Sequence, residues 1–182
     1  GTLWTPAELN SEHYLRVARD SAAPLGLEVI SVPVANANEV LLSAQMLLNQ
    51  QVDAIFPISD NTITAAFESV GRVAGENGVP LFAGVVVGVR LGASAALGWD
   101  FEEMGRLTAA IALRVKNGED PGLIPPLAMT RPRLVLNLAA ARRQGLAFPE
   151  AVIGRADEVI NEDLLSPAAG SAAPAATDSP GI

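Results

Sequence analysis

The sequence contains no cysteine and a single histidine, His13, among its 182 residues. Disulfide bonds and cysteine-bound metals are therefore excluded, and neither a histidine-rich metal site nor a pair of catalytic histidines can be built. A lone histidine is more often a surface residue than a ligand. We accordingly expect no metal site and no cofactor.

Basic residues are also scarce, with 12 Lys and Arg against 20 Asp and Glu, so the formal net charge is −8. This balance argues against a nucleic acid as a partner, because nucleic-acid binding needs clustered positive charge. Aromatic residues make up 4% of the chain and hydrophobic residues 49%. The core must therefore be built from small and branched aliphatic side chains, which suit helices packed on a sheet. No apolar run reaches the ~20 residues that a transmembrane helix needs, and no signal peptide is visible.

The common signatures of catalysis are missing as well. The sequence has no nucleophile elbow, no phosphate-binding G-x-x-x-x-G-K-[ST] loop and no G-x-G-x-x-G after the first strand. With one histidine, nothing offers a Ser-His-Asp set that the fold would bring together. We therefore predict a protein that is not an enzyme, and the missing glycine fingerprint counts against a flavodoxin-like α/β enzyme.

The first ninety residues alternate strand-like and helix-like segments. Runs of β-branched residues predict strands, and apolar residues at three- and four-residue spacing predict helices. The order β-α-β-α-β-α-β, in units of about 25 to 30 residues, predicts an α/β fold with a parallel sheet and helices on both faces. The predicted strands are residues 3–4, 27–34, 52–58 and 79–84, and the predicted helix starts are Asn10 or Ser11, the Asn36/Glu39 capping box, and Ile63.

The second half of the chain is less regular. A predicted strand at 94–99 leads into a long helix that presents Met104, Leu107, Ile111 and Val115 on one face and stops at Gly118. Four prolines between residues 119 and 133 predict an extended connector. A short strand, a short helix and one more helix follow, at residues 134–137, 138–145 and 148–160. The Ala/Pro/Ser-rich residues 161–182 predict a disordered tail.

Ligands of open parallel sheets bind beyond the carboxyl ends of the strands. In the predicted sheet that edge carries the loops 4–11, 35–38, 59–62 and 84–90. At least two of these loops lead into helix N-termini, where free backbone N–H groups and the helix dipole favour an anion. Such a rim is suited to an anionic group of a small solute.

The loops 4–11 and 59–62 lead into helices in this way, and they also carry the acids Glu8 and Asp60. A ligand bound there could therefore carry both a positive and a negative charge. An amino acid fits if Asp60 or Glu8 holds its ammonium and Ser11 or Thr62, with backbone N–H groups, holds its carboxylate. A sugar fits too, because carboxylates and asparagine can hydrogen-bond hydroxyl groups.

These residues also have a simpler interpretation. Ser, Asn and Asp before helices are ordinary N-caps that stabilise by about 1 kcal/mol each, and for any single residue capping is the stronger explanation. When two polar loops share one edge, ligand binding and capping become about equally good explanations. Trp4 and Trp99 lie near predicted strand ends, where an indole could stack on a ligand or pack in the core.

Four segments, in order along the chain, resemble the substrate-binding proteins of ABC transporters. The resemblance is to a branch of which some members take tryptophan or other aromatic amino acids, and it covers residues 1 to 160. The segments are WTPAELNS (4–11), VDAIFPISDNT (52–62), VPLFAG with GASAALGWDFEEMGRLTA (79–84 and 92–109), and LVLNLAAARRQGLAFPEAVIGRADEVI (134–160).

This resemblance implies the type I periplasmic binding fold, in which two α/β lobes close over a ligand. Residues 1–92 would form most of the second lobe, and residues 93–160 would be the hinge crossover and the segments returning to the first lobe. The opening segment of the first lobe would precede Gly1. The implied function is the capture of a small polar solute, first of all an amino acid, for an ABC permease in the membrane. The implied location is the periplasm or another extracytoplasmic site, with a lipoprotein form included.

Carried over residue by residue, the resemblance implies a ligand site on three loops and a hinge-proximal motif at Asp100 and Gly105. There is one departure, because the family usually has an acid after "FAG" and this chain has Val85, followed by Val86 and Val87. The substitution implies a more apolar ligand or weaker binding. A ligand-sensing module of a signalling or regulatory protein with the same fold is the alternative function. The implied site residues are Glu8, Asn10, Ser11, Asp60, Asn61, Thr62 and Gly84.

Overall fold

A computed structural model describes residues 1–127, 129 and 131–165. Most of the predicted tail, residues 166–182, lies outside this range. The strands are β1 (Thr2–Trp4), β2 (Ser31–Pro33), β3 (Phe82–Val85), β4 (Ala95–Trp99), β5 (Arg133–Asn137) and β6 (Glu158–Ile160). The α-helices are α1 (Leu9–Ala22), α2 (Val40–Leu48), α3 (Asn61–Ala65), α4 (Phe67–Asn77), α5 (Phe101–Lys116), α6 (Leu138–Arg143) and α7 (Glu150–Ile153). The α/β class is confirmed.

The extended segment 54–58 joins two groups of strands into one layer. On one side β1 pairs in parallel with β2, and on the other the order is β3-β4-β5-β6. The amides of Phe56 and Ile58 donate to the carbonyls of Gly1 and Leu3, both at 2.9 Å, and the Phe82 amide donates to the Ile55 carbonyl at 2.9 Å. The segment predicted as a central strand therefore lies where it was expected.

The sheet is mixed rather than wholly parallel as predicted. β4 and β5 are antiparallel neighbours, with Gly98 opposite Arg133. The physical reason is that segment 100–132 leaves the sheet at the end of β4 and returns at the same edge, so β5 must run back beside β4. The predicted boundary at residue 92 does not interrupt the sheet, because β4 pairs with β3 beyond it.

The helix predicted within residues 148–160 is wrong over most of its length. It is α7, only four residues long, and β6 follows it in parallel with β5. Asp157 fixes the start of β6, because its side chain accepts from the Leu134 amide at 2.8 Å and its own amide donates to the Leu134 carbonyl at 2.8 Å. These two bonds favour an extended chain over a further helical turn.

The main core lies between the sheet and the helices α2 and α4. Because β2 and segment 54–58 lie on opposite sides of β1, right-handed crossovers place α1 on one face of the sheet and α2 and α4 on the other. The third predicted helix is divided at Ala66 into α3 and α4, and Ala66 is only partly buried. The other five apolar residues at helical spacing face this core and are almost fully buried, namely Ile63, Phe67, Val70, Val73 and Ala74.

Helix α1 differs from its predicted amphipathic pattern. Its apolar residues Tyr14 and Val17 are 51% and 44% exposed, and Leu25, in the 3-10 turn that follows the helix, is 72% exposed. The helix buries Ser11 and Leu15 instead. The apolar stripe therefore faces away from the sheet, and the polar Ser11 faces toward it.

Helix α5 has the predicted length and ends before Gly118, which has a φ of 96°. None of its residues is buried, although Met104, Leu107 and Ile111 form the predicted apolar face. This face lines a cavity of about 340 Å³ together with Trp99. Within the part of the chain that the structure describes, no helix is long and apolar enough to cross a membrane.

Gln144, at the end of α6, ties the C-terminal segment to the centre of the sheet. Its side chain is fully buried, its Oε1 accepts from the Leu81 amide at 2.8 Å and from the Ser94 hydroxyl, and its Nε2 donates to the Gly92 carbonyl at 2.8 Å. Nothing in the local sequence indicates this role, because its partners lie about fifty residues or more away along the chain.

We predict that Gln144→Leu lowers the free energy of unfolding by about 2–4 kcal/mol, because it leaves a buried N–H and a buried carbonyl unpaired. Urea unfolding followed by circular dichroism measures the change. Gln45→Leu, at an exposed position of α2, is the matched control and should have little effect. Equal midpoints for the two variants would contradict the role assigned to Gln144.

Candidate functional site

The loops after β1 and before α3 lie next to each other at one edge of the sheet, as predicted. The Ser11 hydroxyl donates to Asp60 Oδ2 at 2.7 Å and accepts from the Thr5 amide at 2.8 Å. Asp60 Oδ1 accepts from the Ile63 amide at 2.8 Å, so Asp60 is also the N-cap of α3. Ser11 and Asp60 are 0% and 4% exposed, and their polar atoms are therefore used inside the protein.

Glu8 forms a second connection between the same loops, closer to the surface. Its Oε2 accepts from the Asn61 amide at 3.1 Å and from Asn61 Nδ2 at 3.0 Å. Its Oε1 accepts from the Thr62 amide at 3.0 Å and from Thr62 Oγ1 at 2.7 Å. The Thr62 hydroxyl, followed by the Asn61 amide, lowers the pKa of the Glu8 carboxyl. The helix terminus predicted to attract an anion therefore holds the protein's own carboxylate.

The predicted N-cap role of Asn10 and Ser11 is wrong. Helix α1 begins two residues earlier than Ser11, at Leu9, with Glu8 in the N-cap position and no side-chain cap. The reason is that Glu8 is directed at α3 and Ser11 at Asp60, so neither caps its own helix. Asn10 lies exposed in the first turn of α1.

Gly84, the last predicted site residue, lies in β3 where the sheet approaches the second loop. A Cβ at this position would lie 2.9 Å from Ser59 Oγ and 3.7 Å from the ring of Phe56. Gly98 matters equally, because a Cβ there would lie 1.9 Å from the Gly84 carbonyl oxygen. The sequence did not identify Gly98, because the reason for a glycine in a strand is seen only when the backbone that lies against it is known.

The three valines that follow Gly84 give this edge an apolar surface. Val85 pairs with Trp99 at the end of β4, after a shift in register between Ala83 and Val85. Trp99 is 38% exposed and Val87 is 42% exposed, so both are accessible from solvent. Trp4, the other tryptophan considered as a stacking residue, is half-buried.

A charged cluster lies further along the same edge. Asp100 caps α5 by accepting from the amides of Glu102 and Glu103 at 3.0 and 3.2 Å, and it is ion-paired with Arg133. Arg133 also contacts Glu158 at 3.3 Å. The Glu103 amide, together with the Arg133 guanidinium, lowers the pKa of the Asp100 carboxyl.

This cluster borders a cavity of about 380 Å³ that also includes Val86, Val87, Arg90 and Phe101. Arg133 and Glu158 were missed in the sequence, because they lie far from Asp100 along the chain and form no motif with it. Gly105, the other hinge-proximal residue, has open space around its Cβ position. Across the described ranges, no three His, Asp or Glu side chains are grouped so that they could hold a metal ion.

In α/β proteins with an open sheet, ligands bind beyond the carboxyl ends of the strands, which is where the paired polar loops of this chain lie. The family model described as ABC transporter substrate binding protein matches residues 1–160. This chain belongs to that family.

Individual relatives agree with this assignment. The "Tyrosine-binding protein" of Clostridioides difficile (strain R20291) is 27% identical over 137 residues, which are 75% of this chain and 39% of that protein. A conserved domain protein from Vibrio cholerae has a TM-score of 0.76 and 28% identity, over 87% of this chain and 53% of that chain. An ABC domain from Streptococcus pneumoniae in complex with L-Trp has a TM-score of 0.75 and 27% identity, over 88% and 54%.

These coverages show that the chain spans about half the length of the solved relatives and somewhat less of the tyrosine-binding protein. The two structures resemble the chain over nearly all of its described residues.

We predict that Ser11→Ala destabilises the fold by about 2–3 kcal/mol, because the Thr5 amide and Asp60 each lose a buried partner. The measurement is the urea midpoint of unfolding. Ser21→Ala, at an exposed position near the end of the same helix, controls for the higher helix propensity of alanine. The buried link would be refuted if both variants unfolded at the same urea concentration.

We also predict an acid-dependent contribution from Asp100. Its folded-state pKa is lower than in the unfolded chain, so the contribution is complete above the unfolded pKa, about 3.9, and is lost as the pH falls through the folded pKa. Asp100→Asn should therefore flatten the loss of stability below about pH 4. Unfolding curves at a series of pH values, with Asp20→Asn on the exposed side of α1 as control, test this. An unchanged acid dependence in Asp100→Asn would count against it.

Proposed function

We propose that this chain forms one lobe of a two-lobe substrate-binding protein that captures an amino acid with an apolar side chain for an ABC importer. The observation that carries the proposal is the pair of polar loops held together at the carboxyl edge of the sheet, beside an apolar surface. The wall of the cleft in this lobe comprises the loops of Glu8, Asn10, Ser11, Asp60, Asn61, Thr62 and Gly84.

The exposed apolar face of helix α5 is an argument for a second lobe. A helix of sixteen residues with an apolar face and no buried residue needs a packing partner that the described residues do not supply. Segment 100–132 leaves and re-enters the sheet at the cleft edge. We therefore assign this segment to the other lobe and residues 133–160 to this one, which revises the predicted division at residue 92.

The apolar preference of the ligand is supported by two observations. Val85 occupies the position where the resemblance implied an acid, and Trp99 is its pairing partner on β4. One relative is a tyrosine-binding protein, and another is a domain in complex with L-Trp. An aromatic amino acid is therefore the first candidate, ahead of a sugar.

The proposed protein performs no chemistry on its ligand. Closure of the lobes is a shift between open and closed populations, driven by contacts that the ligand makes only in the closed state. The closed form would then be recognised by a membrane permease, which places the protein outside the cytoplasm. A sensing module would bind the same ligand but pass it to no permease.

The test is a thermal-shift screen of the twenty amino acids and common sugars on the native polypeptide that contains residues 1–182 together with its other lobe. A specific ligand raises the melting temperature by mass action, and we expect Trp, Tyr or Phe to give the largest shift. Calorimetry on residues 1–182 alone is the control and should show weak binding or none, since one wall of the cleft is absent. Micromolar binding by this single lobe, or a response to sugars alone, would contradict the proposal.

A further inference from the structure

We propose that Glu8 is a positioning residue, which fixes the two cleft loops against each other and does not bind the ammonium group of the ligand. The inference rests on the proposed function and assigns roles within that site. It separates the predicted site residues into those that build the wall and those that are free to contact an amino acid.

The hydrogen bonds of Glu8 are already complete. An ionised carboxylate offers about four acceptor positions, and Glu8 receives two donors at each oxygen, from Asn61 and from Thr62. An ammonium group could bind Glu8 only by displacing one of these donors. Two of the four donors are backbone amides in the first turn of α3, and amides at this position have no carbonyl acceptor within their own helix.

The charge of Glu8 is also partly offset within the protein by the N–H and O–H groups of Asn61 and Thr62. The N-terminus of a helix carries a partial positive charge, and a carboxylate placed against it is stabilised. The field of Glu8 at the cleft is therefore weaker than that of a free carboxylate. The bonds that hold Glu8 at α3 thus reduce its attraction for a ligand cation.

Asp60, the other acid predicted to hold the ammonium, is equally engaged. One oxygen accepts from the Ile63 amide and the other from the Ser11 hydroxyl, and the residue is 4% exposed. A ligand in the cleft cannot reach it without unfolding the link between the loops.

The groups that remain accessible on these two loops are neutral. Asn10 is exposed in the first turn of α1, and Asn61 is exposed with its Nδ2 directed at Glu8. Neutral amides can hydrogen-bond either end of a zwitterion but do not select its charge. An acidic side chain that pairs with the ammonium would therefore have to lie outside the loops 4–11 and 59–62.

In this arrangement Glu8 increases ligand affinity by holding the two loops in place before the ligand binds. The buried Ser11–Asp60 bond holds the base of the two loops, and Glu8 holds their outer ends. Loops fixed before binding lose less conformational entropy when the ligand arrives. Removal of Glu8 should then weaken every ligand of the cleft by a similar factor, whatever charge that ligand carries.

The test measures the dissociation constants of three probes on the native two-lobe polypeptide. The probes are L-tryptophan, 3-indolepropionate, which lacks the amine, and tryptamine, which lacks the carboxylate. Glu8→Gln keeps the shape of the side chain but points an amide N–H₂ at N–H donors. Glu12→Gln, one turn further along α1 and exposed, is the matched control.

We expect Glu8→Gln to weaken L-tryptophan and 3-indolepropionate alike, each by about tenfold, with Glu12→Gln unchanged. The ratio of their dissociation constants should stay within about twofold of the native ratio, because a residue that does not touch the amine cannot sense its absence. A loss confined to the ligands that carry an amine would overturn the inference and make Glu8 an ammonium ligand.

Amide hydrogen exchange at Asn61 and Thr62 provides a second readout. We expect both amides to be protected in the free and in the ligand-bound protein, and to exchange faster in Glu8→Gln. Loss of their protection when ligand binds would show that Glu8 leaves α3 for the ligand, and it would refute the inference. If no amino acid binds the native protein, the proposed function fails, whereas unprotected amides in the free protein would reject the role of Glu8 by themselves.

Discussion

The hydrogen bond between Ser11 and Asp60 is the contact on which the carboxyl edge of the sheet depends. It joins two loops that are 49 residues apart and buries a carboxylate that also caps α3. Burying such a group is unfavourable unless its oxygens are paired, so each partner requires the other. Because the bond fixes α1 relative to α3, it also sets where Glu8 meets Asn61 and Thr62.

Much of the fold could be predicted because the same local pattern, a strand followed by a helix, recurs along the first ninety residues. Each early unit carries a β-branched run and then an apolar stripe with helical spacing, and the inward residues of α4 followed directly from that spacing. The antiparallel β5 was not predictable in this way, because pairing direction depends on where segment 100–132 returns to the sheet. The exposed stripe on α1 was missed for a related reason, since the pattern shows that a face is apolar but does not say what covers it.

The adjacency of the two polar loops could also be predicted from the sequence, while their contacts could not. Polar residues after strands identified Glu8, Ser11, Asp60 and Thr62 as neighbours on one edge. Their types suit capping and ligand binding equally well, and only the distances show that Glu8 and Asp60 bond to the protein itself. Arg133 and Gln144 gave no signal at all, because their partners are distant in the chain and no local motif records them.

The pairing of β4 with β5 affects how segment 100–132 is attached to this lobe. Its two ends leave the sheet as adjacent strands, and the ion pair of Asp100 with Arg133 joins them where they emerge. A double strand resists twisting and sideways displacement more than a single strand does. The pairing therefore favours movement of the two ends of this segment together over independent movement of each end.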